Sequence, residues 1–260
     1  MNIESGNFES LSTRQLLHKT KGIILRTVKY GETSLIATVY TELFGLQSYI
    51  VKGVRLSSKK GNSKVNMFQP AAVLDMVVYH NELKQLQFIK DYSWAHIPQH
   101  LHQDVIKNCV ALFIVELVGK SIKQPESNAA LFYFMENYLL MLDAADSAVT
   151  GNLPLHFALH LARELGFGME DRDDENKIIL DLDEGRFTEQ IPAHGNYLDG
   201  RLAGATADLL QMDNAVSLYR IKLNKSLRQQ LLQAYEQFYV YHVSDFGTLK
   251  TVAVLEAVLG

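Results

Sequence analysis

Cysteine is almost absent from this chain, since Cys109 is its only one among 260 residues. A single cysteine cannot form an internal disulfide, and it excludes a cysteine-rich zinc site. Long apolar runs are missing as well. The densest one, Cys109–Gly119, has about half the length of a membrane-spanning helix and contains Glu116. We therefore expect no membrane segment and a reducing, cytoplasmic environment.

The start of the chain also lacks an apolar stretch, so we expect no signal peptide there and interpret residues 1–16 as a polar lead-in. Hydrophobic residues make up 47% and charged residues 21% of the sequence, which is typical of a soluble globular protein. A length of 260 residues suits one long domain or two ordinary ones.

Charge is unevenly distributed along the sequence, although the net charge is only −4. Residues 14–64 contain ten Lys and Arg but two acids, for a local net charge of +8. Residues 165–215 contain twelve acids and four bases, for a local net charge of −8. A separation of this kind predicts one surface that binds a polyanion and a distinct acidic region.

Five segments of the first third have the alternation or β-branched enrichment of strands and are separated by turn signals. They cover residues 21–28, 33–42, 46–54, 71–80 and 84–94. The second and third are expected to form a hairpin that turns just before Gly45. Five short strands in roughly 75 residues fit a small closed barrel, and the five-stranded Greek-key form of such a barrel is the OB-fold.

From Pro98 onward the apolar residues follow a helical period. We predict helices from Pro98 to about residue 121, from near Pro125 to 145, and over 153–166, 226–243 and 248–259. The predicted fold class is α+β, with an N-terminal five-stranded OB-fold barrel at residues 17–96 followed by a mostly α-helical domain at 97–260. An acidic loop insert is expected at about 167–201, with one possible short strand at 177–182.

Signals for catalysis or metal binding are weak. His156 and His160 have the spacing of a helical metal site but lack the intervening Glu of a zinc protease, so a partly buried helical pair is favoured. Residues 171–182 begin like a calcium loop, yet Asn176 stands where glycine is required and Leu182 where the bidentate glutamate is required. The sequence contains no nucleophile elbow and no phosphate-binding P-loop. We expect neither an enzyme nor a bound cofactor or metal.

The barrel segment carries a recognisable pattern. It consists of a strand with a basic residue, Tyr-Gly-Glu-Thr, a second strand, a glycine, and a third strand ending in Lys-Gly-Val-Arg. These features occur at Lys21, Gly22, Arg26, Tyr30, Gly31, Glu32, Thr33, Gly45, Lys52, Gly53 and Arg55. Two later stretches continue the pattern. Residues 68–92 contain Phe-Gln-Pro at the start of a strand and then a Leu-Lys turn and a further strand, and residues 241–255 contain Tyr-His, Leu-Lys-Thr and a final helix. From about Leu17 onward, the sequence resembles the RecO family of bacterial recombination mediators and DNA-repair proteins.

The resemblance implies a cytoplasmic, nucleoid-associated protein that binds single- and double-stranded DNA and anneals complementary strands. It also implies contact with the acidic C-terminal tail of single-stranded DNA-binding protein and, together with RecR, indirect help in loading RecA onto coated single-stranded DNA. One departure stands out. Many members carry a four-cysteine zinc site between the third helix and the C-terminal helices, and this stretch contains no cysteine here. We expect that the zinc site has been lost and that acidic loop replaces it.

An OB barrel binds single strands by combining a basic groove with aromatic faces on which bases stack. The predicted DNA-binding residues are Lys21, Arg26, Lys29, Tyr30, Lys52, Arg55, Lys59, Lys60 and Lys64. Tyr40, Tyr49 and Phe68 are further candidates for stacking, although a small barrel needs inward-facing bulk. Tyr30, beside Gly31, is the aromatic residue expected at the surface. The polar loop at 55–64 is expected to follow a phosphate backbone; the alternative is an ordinary solvated loop.

Two other functions stay open at the level of sequence. A non-enzymatic scaffold would use the basic barrel to bind an acidic protein partner, and a salt titration against DNA oligonucleotides separates this function from DNA binding. A metal-dependent nuclease would need clustered carboxylates near the basic face, whereas the acids lie elsewhere in the sequence.

Overall fold

The computed structural model describes residues 16–55 and 64–259, and every structural statement below concerns those residues. Five strands form a closed barrel with the order β1-β2-β3-β5-β4. They are β1 (Leu16–Tyr30), β2 (Ser34–Thr41), β3 (Gly45–Val51), β4 (Val73–His80) and β5 (Leu86–Trp94). The predicted OB-fold barrel is confirmed, with its first strand starting at Leu16 instead of Lys21.

The long strand β1 closes the barrel because it pairs with two neighbours. Residues 16–23 pair with β4 and residues 22–30 pair with β2, both antiparallel. A bulge between Ile24 and Arg26 bends the strand. Gly22 lies where the pairing changes over, and a Cβ there would come within 2.3 Å of Met76 Cε. A larger residue at Gly22 would therefore force the barrel interior apart.

Helices follow the barrel. They are α1 (Val105–Ser121), α2 (Ala129–Ala144), α3 (Ser147–Thr150), α4 (Leu153–Glu164), α5 (Gly200–Leu210), α6 (Lys225–His242) and α7 (Lys250–Val258). Short 3-10 helices occur at Lys64–Phe68 and Ala215–Arg220. A small antiparallel sheet of order β7-β6-β8 consists of β6 (Ile179–Asp181), β7 (Arg186–Thr188) and β8 (Tyr197–Leu198). None of the described helices is both long and apolar enough to span a membrane.

The first helix begins at Val105, so the predicted start at Pro98 is wrong. Asp104 caps α1 by accepting hydrogen bonds from the backbone N–H groups of Ile106 and Lys107. The residues before it are held in turns, because the Asp143 carboxylate accepts hydrogen bonds from three successive backbone N–H groups at residues 99–101. A segment tied to a carboxylate in this way cannot also extend the helix.

Two further predictions about the helical half need correction. Helix α2 begins at Ala129 and not near Pro125, because the Asn128 side chain accepts the N–H of Leu131 and caps the helix there. The stretch predicted as acidic loop contains three short strands, β6 to β8, of which one was predicted. Helix α5, rich in alanine and glycine, was not predicted.

The barrel and the helices share one core along the outer face of the barrel. Ile23 and Leu25 of β1 and Tyr40 of β2 pack into the same buried cluster as α1 and α2, whereas Ile24, between them, points into the barrel interior. Gly45 approaches the chain before α2 so closely that a Cβ would lie 2.0 Å from the Glu126 carbonyl oxygen. The two halves of the chain are therefore packed tightly against each other.

An ion pair ties the same junction together. The Lys21 ammonium lies 2.8 Å from Glu136 Oε1, and His96 Nε2 lies 3.1 Å from the same oxygen. The Glu136 side chain is only 6% exposed. A carboxylate this deeply buried needs a partner, because its desolvation is otherwise uncompensated.

We predict that Lys21→Met destabilises the protein by about 1–3 kcal/mol, because the nearly buried Glu136 carboxylate loses its cation. Chemical denaturation measures the difference. The hydrogen bond with Glu136 raises the pKa of Lys21 above 10.5. The stabilisation is therefore complete below that pH and is lost as the pH rises through the raised pKa.

Lys19→Met is the matched control, because Lys19 is an exposed lysine of the same strand, and it should change the stability by less than about 0.5 kcal/mol. The double variant Lys21→Met, Glu136→Gln should recover part of the loss, since it leaves no unpaired buried charge. A Lys21→Met protein as stable as the parent would mean that the ion pair does not hold the junction.

Candidate nucleic-acid interface

One end of the barrel gathers the turn between β1 and β2 and the segment that follows β3. Arg26, Lys29 and Tyr30 are exposed on the part of β1 beyond its bulge, and Tyr30 is 50% exposed. The Arg55 guanidinium donates a hydrogen bond to the Gly31 carbonyl at 2.9 Å. This bond fixes the chain after β3 against the turn, so four of the predicted site residues lie at the same end of the barrel.

A groove of about 640 Å³ lies on the barrel between the end of β3, the start of the first 3-10 helix, β4 and β5. Its walls carry three cations and three aromatic rings, which are Lys52, Lys64, Lys90, Tyr79, Phe88 and Tyr92. The groove also contains one carboxylate, that of Asp91. A groove with an excess of cations attracts a polyanion.

The rings of the groove lie close to its cations. The Lys52 ammonium is 5.1 Å from the centroid of the Phe88 ring, a cation–π contact. Tyr79 is opposite Phe88 in the ladder between β4 and β5, so the two side chains are neighbours on one face of the sheet. Single-strand sites combine these two elements, since lysines neutralise phosphates and rings stack against bases.

Lys21, one of the predicted DNA-binding residues, has a different partner. Its ammonium is paired with the Glu136 carboxylate at 2.8 Å and lies 5.8 Å from the Tyr133 ring centroid. A cation already neutralised by a buried carboxylate contributes little to phosphate binding. We therefore assign Lys21 to the junction between barrel and helices, and the other predicted cations carry the DNA-binding hypothesis.

Two further predicted residues, Lys59 and Lys60, lie outside the described residues. The positions on either side are described: Arg55 follows β3, and Lys64, which is exposed, opens the 3-10 helix. Both Lys52 and Lys64 line the groove. Lys52, which precedes the loop, and Lys64, its last residue, thus lie beside the groove, and the role of the loop in DNA binding stays a prediction.

Of the four aromatic residues considered for base stacking, three are buried and one is exposed. Tyr40, Tyr49 and Phe68 are at most 1% exposed and cannot stack on a base. Burial raises the pKa of Tyr40 to about 12 and that of Tyr49 further still, as expected for phenols removed from water. The prediction that Tyr30 is the exposed member of the set is confirmed.

Sequence reasoning missed four of the cations and rings of the groove: Tyr79, Phe88, Lys90 and Tyr92. They lie on β4 and β5, outside the segment whose charge density drew attention. Strand alternation was the signal that could have indicated two of them. It places the side chains of Tyr79 and Phe88 on the same face of two predicted strands. The register that places them side by side comes from barrel closure, which local sequence does not determine.

Bases in and beside the acidic region are partly paired. Two of the region's four bases, Lys177 and Arg186, lie within 3.1 Å of Asp173 and Glu184, and Arg163, just before the region, lies 3.1 Å from Asp171. The cations of the groove at Lys52, Lys64 and Lys90 have no such carboxylate partner in the described part of the chain. The acidic region therefore neutralises part of its own positive charge, whereas the groove keeps the positive charge of its lysines.

The histidine and calcium alternatives do not produce a metal site in the described residues. His156 is 2% exposed, and its two ring nitrogens lie 2.6 Å from the Tyr138 hydroxyl and 2.7 Å from the Met212 carbonyl. Burial lowers the pKa of His156 to about 4, so the ring is neutral. Leu182 is buried and cannot supply a calcium ligand. Within residues 16–55 and 64–259, no group of three His, Cys, Asp or Glu residues is arranged to hold a metal ion.

Comparison with known proteins gives one consistent result. The family model described as "Recombination protein O N terminal" matches residues 15–98, and the one described as "Recombination protein O C terminal" matches residues 102–250. The DNA repair protein RecO of Christiangramia forsetii is 32% identical over 94% of this chain and 100% of that protein. The DNA repair protein RecO of Flavobacterium psychrophilum is 32% identical over 92% of this chain and 98% of that protein. The DNA repair protein RecO of Bacteroides fragilis is 30% identical over 93% of this chain and 98% of that protein.

We predict that the triple variant Lys52→Gln, Lys64→Gln, Lys90→Gln binds single-stranded DNA with a weaker dependence on salt. Each phosphate contact contributes roughly −0.7 to the slope of log affinity against log salt, so the slope should flatten by about 2 units. The loss should be similar for unrelated base sequences, because phosphate contacts carry no base information. Fluorescence anisotropy across a salt series measures both quantities.

The matched control is Lys19→Gln, Lys84→Gln, Lys250→Gln, which removes the same charge from three exposed lysines outside the groove. Its slope should stay close to that of the parent. If the groove variant and the control variant have the same slope while both remain folded by circular dichroism, the groove does not bind the phosphate backbone.

Proposed function

Because this chain belongs to the RecO family of DNA repair proteins, we propose that it is a recombination mediator that brings complementary single strands together. The family assigns the chain a role in DNA repair and recombination. In the proposed mechanism it binds single- and double-stranded DNA through the barrel, anneals complementary strands, and helps load RecA onto single-stranded DNA coated by its binding protein.

The groove lined by Lys52, Lys64 and Lys90, none of which has a carboxylate partner among the described residues, carries this proposal. Two DNA strands repel each other through their phosphates, and a mediator must shield that charge while leaving the bases free to pair. Lysine ammonium groups on flexible stems shield phosphates without fixing the strand. The rings of Tyr79 and Phe88 give unpaired bases a temporary stacking surface.

The proposal includes no bond-breaking step. Metal-dependent hydrolysis of a phosphodiester uses clustered carboxylates that hold one or two cations beside the scissile bond. Asp91 is the single carboxylate along the described walls of the groove, which favours a mediator over a nuclease. The alternative of a scaffold that binds an acidic protein through the barrel predicts no acceleration of annealing, and the experiment below separates the two.

We propose a division of labour near residues 96–97, with DNA held mainly by the barrel and protein partners by the helices. The expected partners are single-stranded DNA-binding protein, RecR and, indirectly, RecA, in the cytoplasm and in association with the nucleoid. The tail of single-stranded DNA-binding protein is acidic and ends in an apolar residue, so its receptor needs an apolar groove with fixed cations.

A second groove, of about 660 Å³, fits that description. It lies between the start of α1, the end of α2, α3 and the end of α7, and it is lined by Ile106, Lys107, Ala145, Arg228 and Leu259 among others. Its surface is thus partly apolar, as an apolar chain end requires, and two cations lie within reach of a bound carboxylate.

Both cations are held in place. Lys107 is 8% exposed and donates a hydrogen bond to the Asp143 carbonyl at 2.7 Å. Arg228 donates from Nε to the buried Asn152 side chain at 3.1 Å. Burial lowers the pKa of Arg228, and neither cation pairs with a carboxylate among the described residues. A partly desolvated guanidinium without an anion is costly, and a peptide carboxylate would relieve that cost.

The main experiment follows annealing of complementary oligonucleotides coated with single-stranded DNA-binding protein, using a fluorophore and a quencher. The parent should accelerate annealing, and the groove variant Lys52→Gln, Lys64→Gln, Lys90→Gln should lose most of that acceleration because it shields fewer phosphates. The control variant Lys19→Gln, Lys84→Gln, Lys250→Gln should behave like the parent. A parent protein that binds DNA but never accelerates annealing would exclude the mediator function.

Peptide binding tests the second groove. Arg228→Gln should weaken binding of a fluorescent tail peptide by about 10–100-fold, because a charge-assisted hydrogen bond contributes roughly 1.5–3 kcal/mol. Amidation of the peptide C-terminus should weaken binding to the parent similarly and have little further effect on the variant. Arg186→Gln, at an exposed arginine already paired with Glu184, is the control. Equal binding by the two variants would show that the tail docks elsewhere.

A further inference from the structure

A second concentration of positive charge lies in the helical half of the chain. Residues 219–228 contain four bases, Arg220, Lys222, Lys225 and Arg228, and no acid. The segment runs from the end of the second 3-10 helix into α6. The basic segment at residues 219–228 follows closely after the acidic residues 165–215. A net charge summed over the helical half therefore does not reveal it.

In the folded chain a fifth base, from outside the segment, lies beside it, and the segment lines a groove. A depression of about 430 Å³ is lined by Arg201 at the start of α5 and by Arg220 and Lys222, all three of them exposed. Its floor is apolar, formed by Met212, Ile221, Leu223 and Leu227. We call these seven residues the C-terminal basic patch. Asp208 is the carboxylate on its edge.

The three cations of the patch are unpaired in the part of the chain that the structure describes. Two bases of the neighbouring acidic region, Lys177 and Arg186, and Arg163 just before it lie within 3.1 Å of a carboxylate. No such pair involves Arg201, Arg220 or Lys222 among the described residues. The patch therefore retains its positive charge, although the acidic segment lies close by in sequence.

An exposed aromatic ring stands beside the patch. Tyr219 is 46% exposed, and the Arg220 guanidinium carbon lies 5.7 Å from its ring centroid, with Nε donating to the Tyr219 hydroxyl at 3.3 Å. Val216, on the same 3-10 helix, is 56% exposed. Solvated cations beside an exposed ring and a shallow apolar floor form the combination that binds single strands without sequence preference.

We propose that the C-terminal basic patch is a second single-stranded nucleic-acid site, separate from the barrel groove, so that one chain holds two strands at once. This inference rests on the proposed annealing function and deepens it. Two strands that approach on one protein need counter-charge on each of them, because a single groove neutralises only the strand inside it.

The chemistry of the patch favours a nucleic acid over an acidic peptide. Arg228, in the neighbouring groove, is half-buried and held by Asn152, as capture of one carboxylate requires. Arg201, Arg220 and Lys222 are instead exposed, which suits a solvated phosphate backbone that needs charge without fixed geometry. The apolar floor and Tyr219 add surface for unpaired bases.

The test uses the full-length chain and two non-complementary oligonucleotides that carry a donor and an acceptor fluorophore. The patch variant is Arg201→Gln, Arg220→Gln, Lys222→Gln. Its control is Arg163→Gln, Lys177→Gln, Arg186→Gln, which removes the same charge from bases already paired with acids. Energy transfer reports whether both strands occupy one particle, and sedimentation gives the number of chains in that particle.

We expect two strands per chain for the parent and for the control, and one strand per chain for the patch variant. The barrel variant Lys52→Gln, Lys64→Gln, Lys90→Gln should also retain one strand per chain. The patch variant should bind that strand within about 2-fold of the parent affinity, yet anneal complementary strands about 10-fold more slowly, because the second strand loses its contacts.

Three outcomes would overturn the inference. In the first, the patch variant holds two strands and anneals like the parent. In the second, it loses only the binding of the acidic tail peptide, which makes the patch a peptide surface. In the third, the parent binds one strand per chain. In each of these cases annealing by the parent still supports the proposed function. If the parent neither binds nor anneals DNA, the proposed function fails first, and the patch with it.

Discussion

The packing of the barrel against the helices is the constraint on which the rest of the structure depends. Strand β1 pairs with both β2 and β4 and so belongs to the barrel wall. Its side chains point alternately into the barrel interior and into the core shared with the helices. Ile24 lies inside the barrel, and Ile23 and Leu25 lie against α1. Truncation at the boundary would expose this apolar face to water, at about 25 cal/mol per Å². The barrel and the helices therefore form one mechanical unit, and point variants test the DNA site more cleanly than isolated halves.

Electrostatics on this framework follow from which charges find partners within the chain. Lys21 illustrates the point, because sequence places it among the cations of the barrel while the fold pairs it with Glu136. Lys177 and Arg186 of the acidic region are likewise paired with neighbouring carboxylates. Among the described residues, the groove on the barrel and the patch near α6 each bring several unpaired cations together, and clustered charge of this kind attracts a polyanion.

Sequence predicts the architecture well because its signals are local and repeated. Alternation, turn residues and the change to a helical period define the five strands and the main helices. The start of α1 could not be predicted in this way, since it depends on Asp143 accepting hydrogen bonds from residues 99–101, more than forty positions earlier in the chain. The groove residues Tyr79, Phe88 and Lys90 were missed for a related reason: they become neighbours only through barrel register. The C-terminal basic patch likewise needs Arg201, which sequence separates from Arg220 by a helix.

The small sheet of β6, β7 and β8 is joined to its loops by ordinary side chains. Asp181, which is 8% exposed, accepts hydrogen bonds from two backbone N–H groups at residues 183 and 184. His194 Nε2 lies 3.2 Å from the same carboxylate, and His194 Nδ1 accepts the Asn196 N–H at 3.1 Å. The turn after β6 and the loop before β8 are thus joined through one carboxylate and one imidazole. Leu180 and Phe187 anchor the small sheet in the main core, and this apolar burial stabilises the sheet.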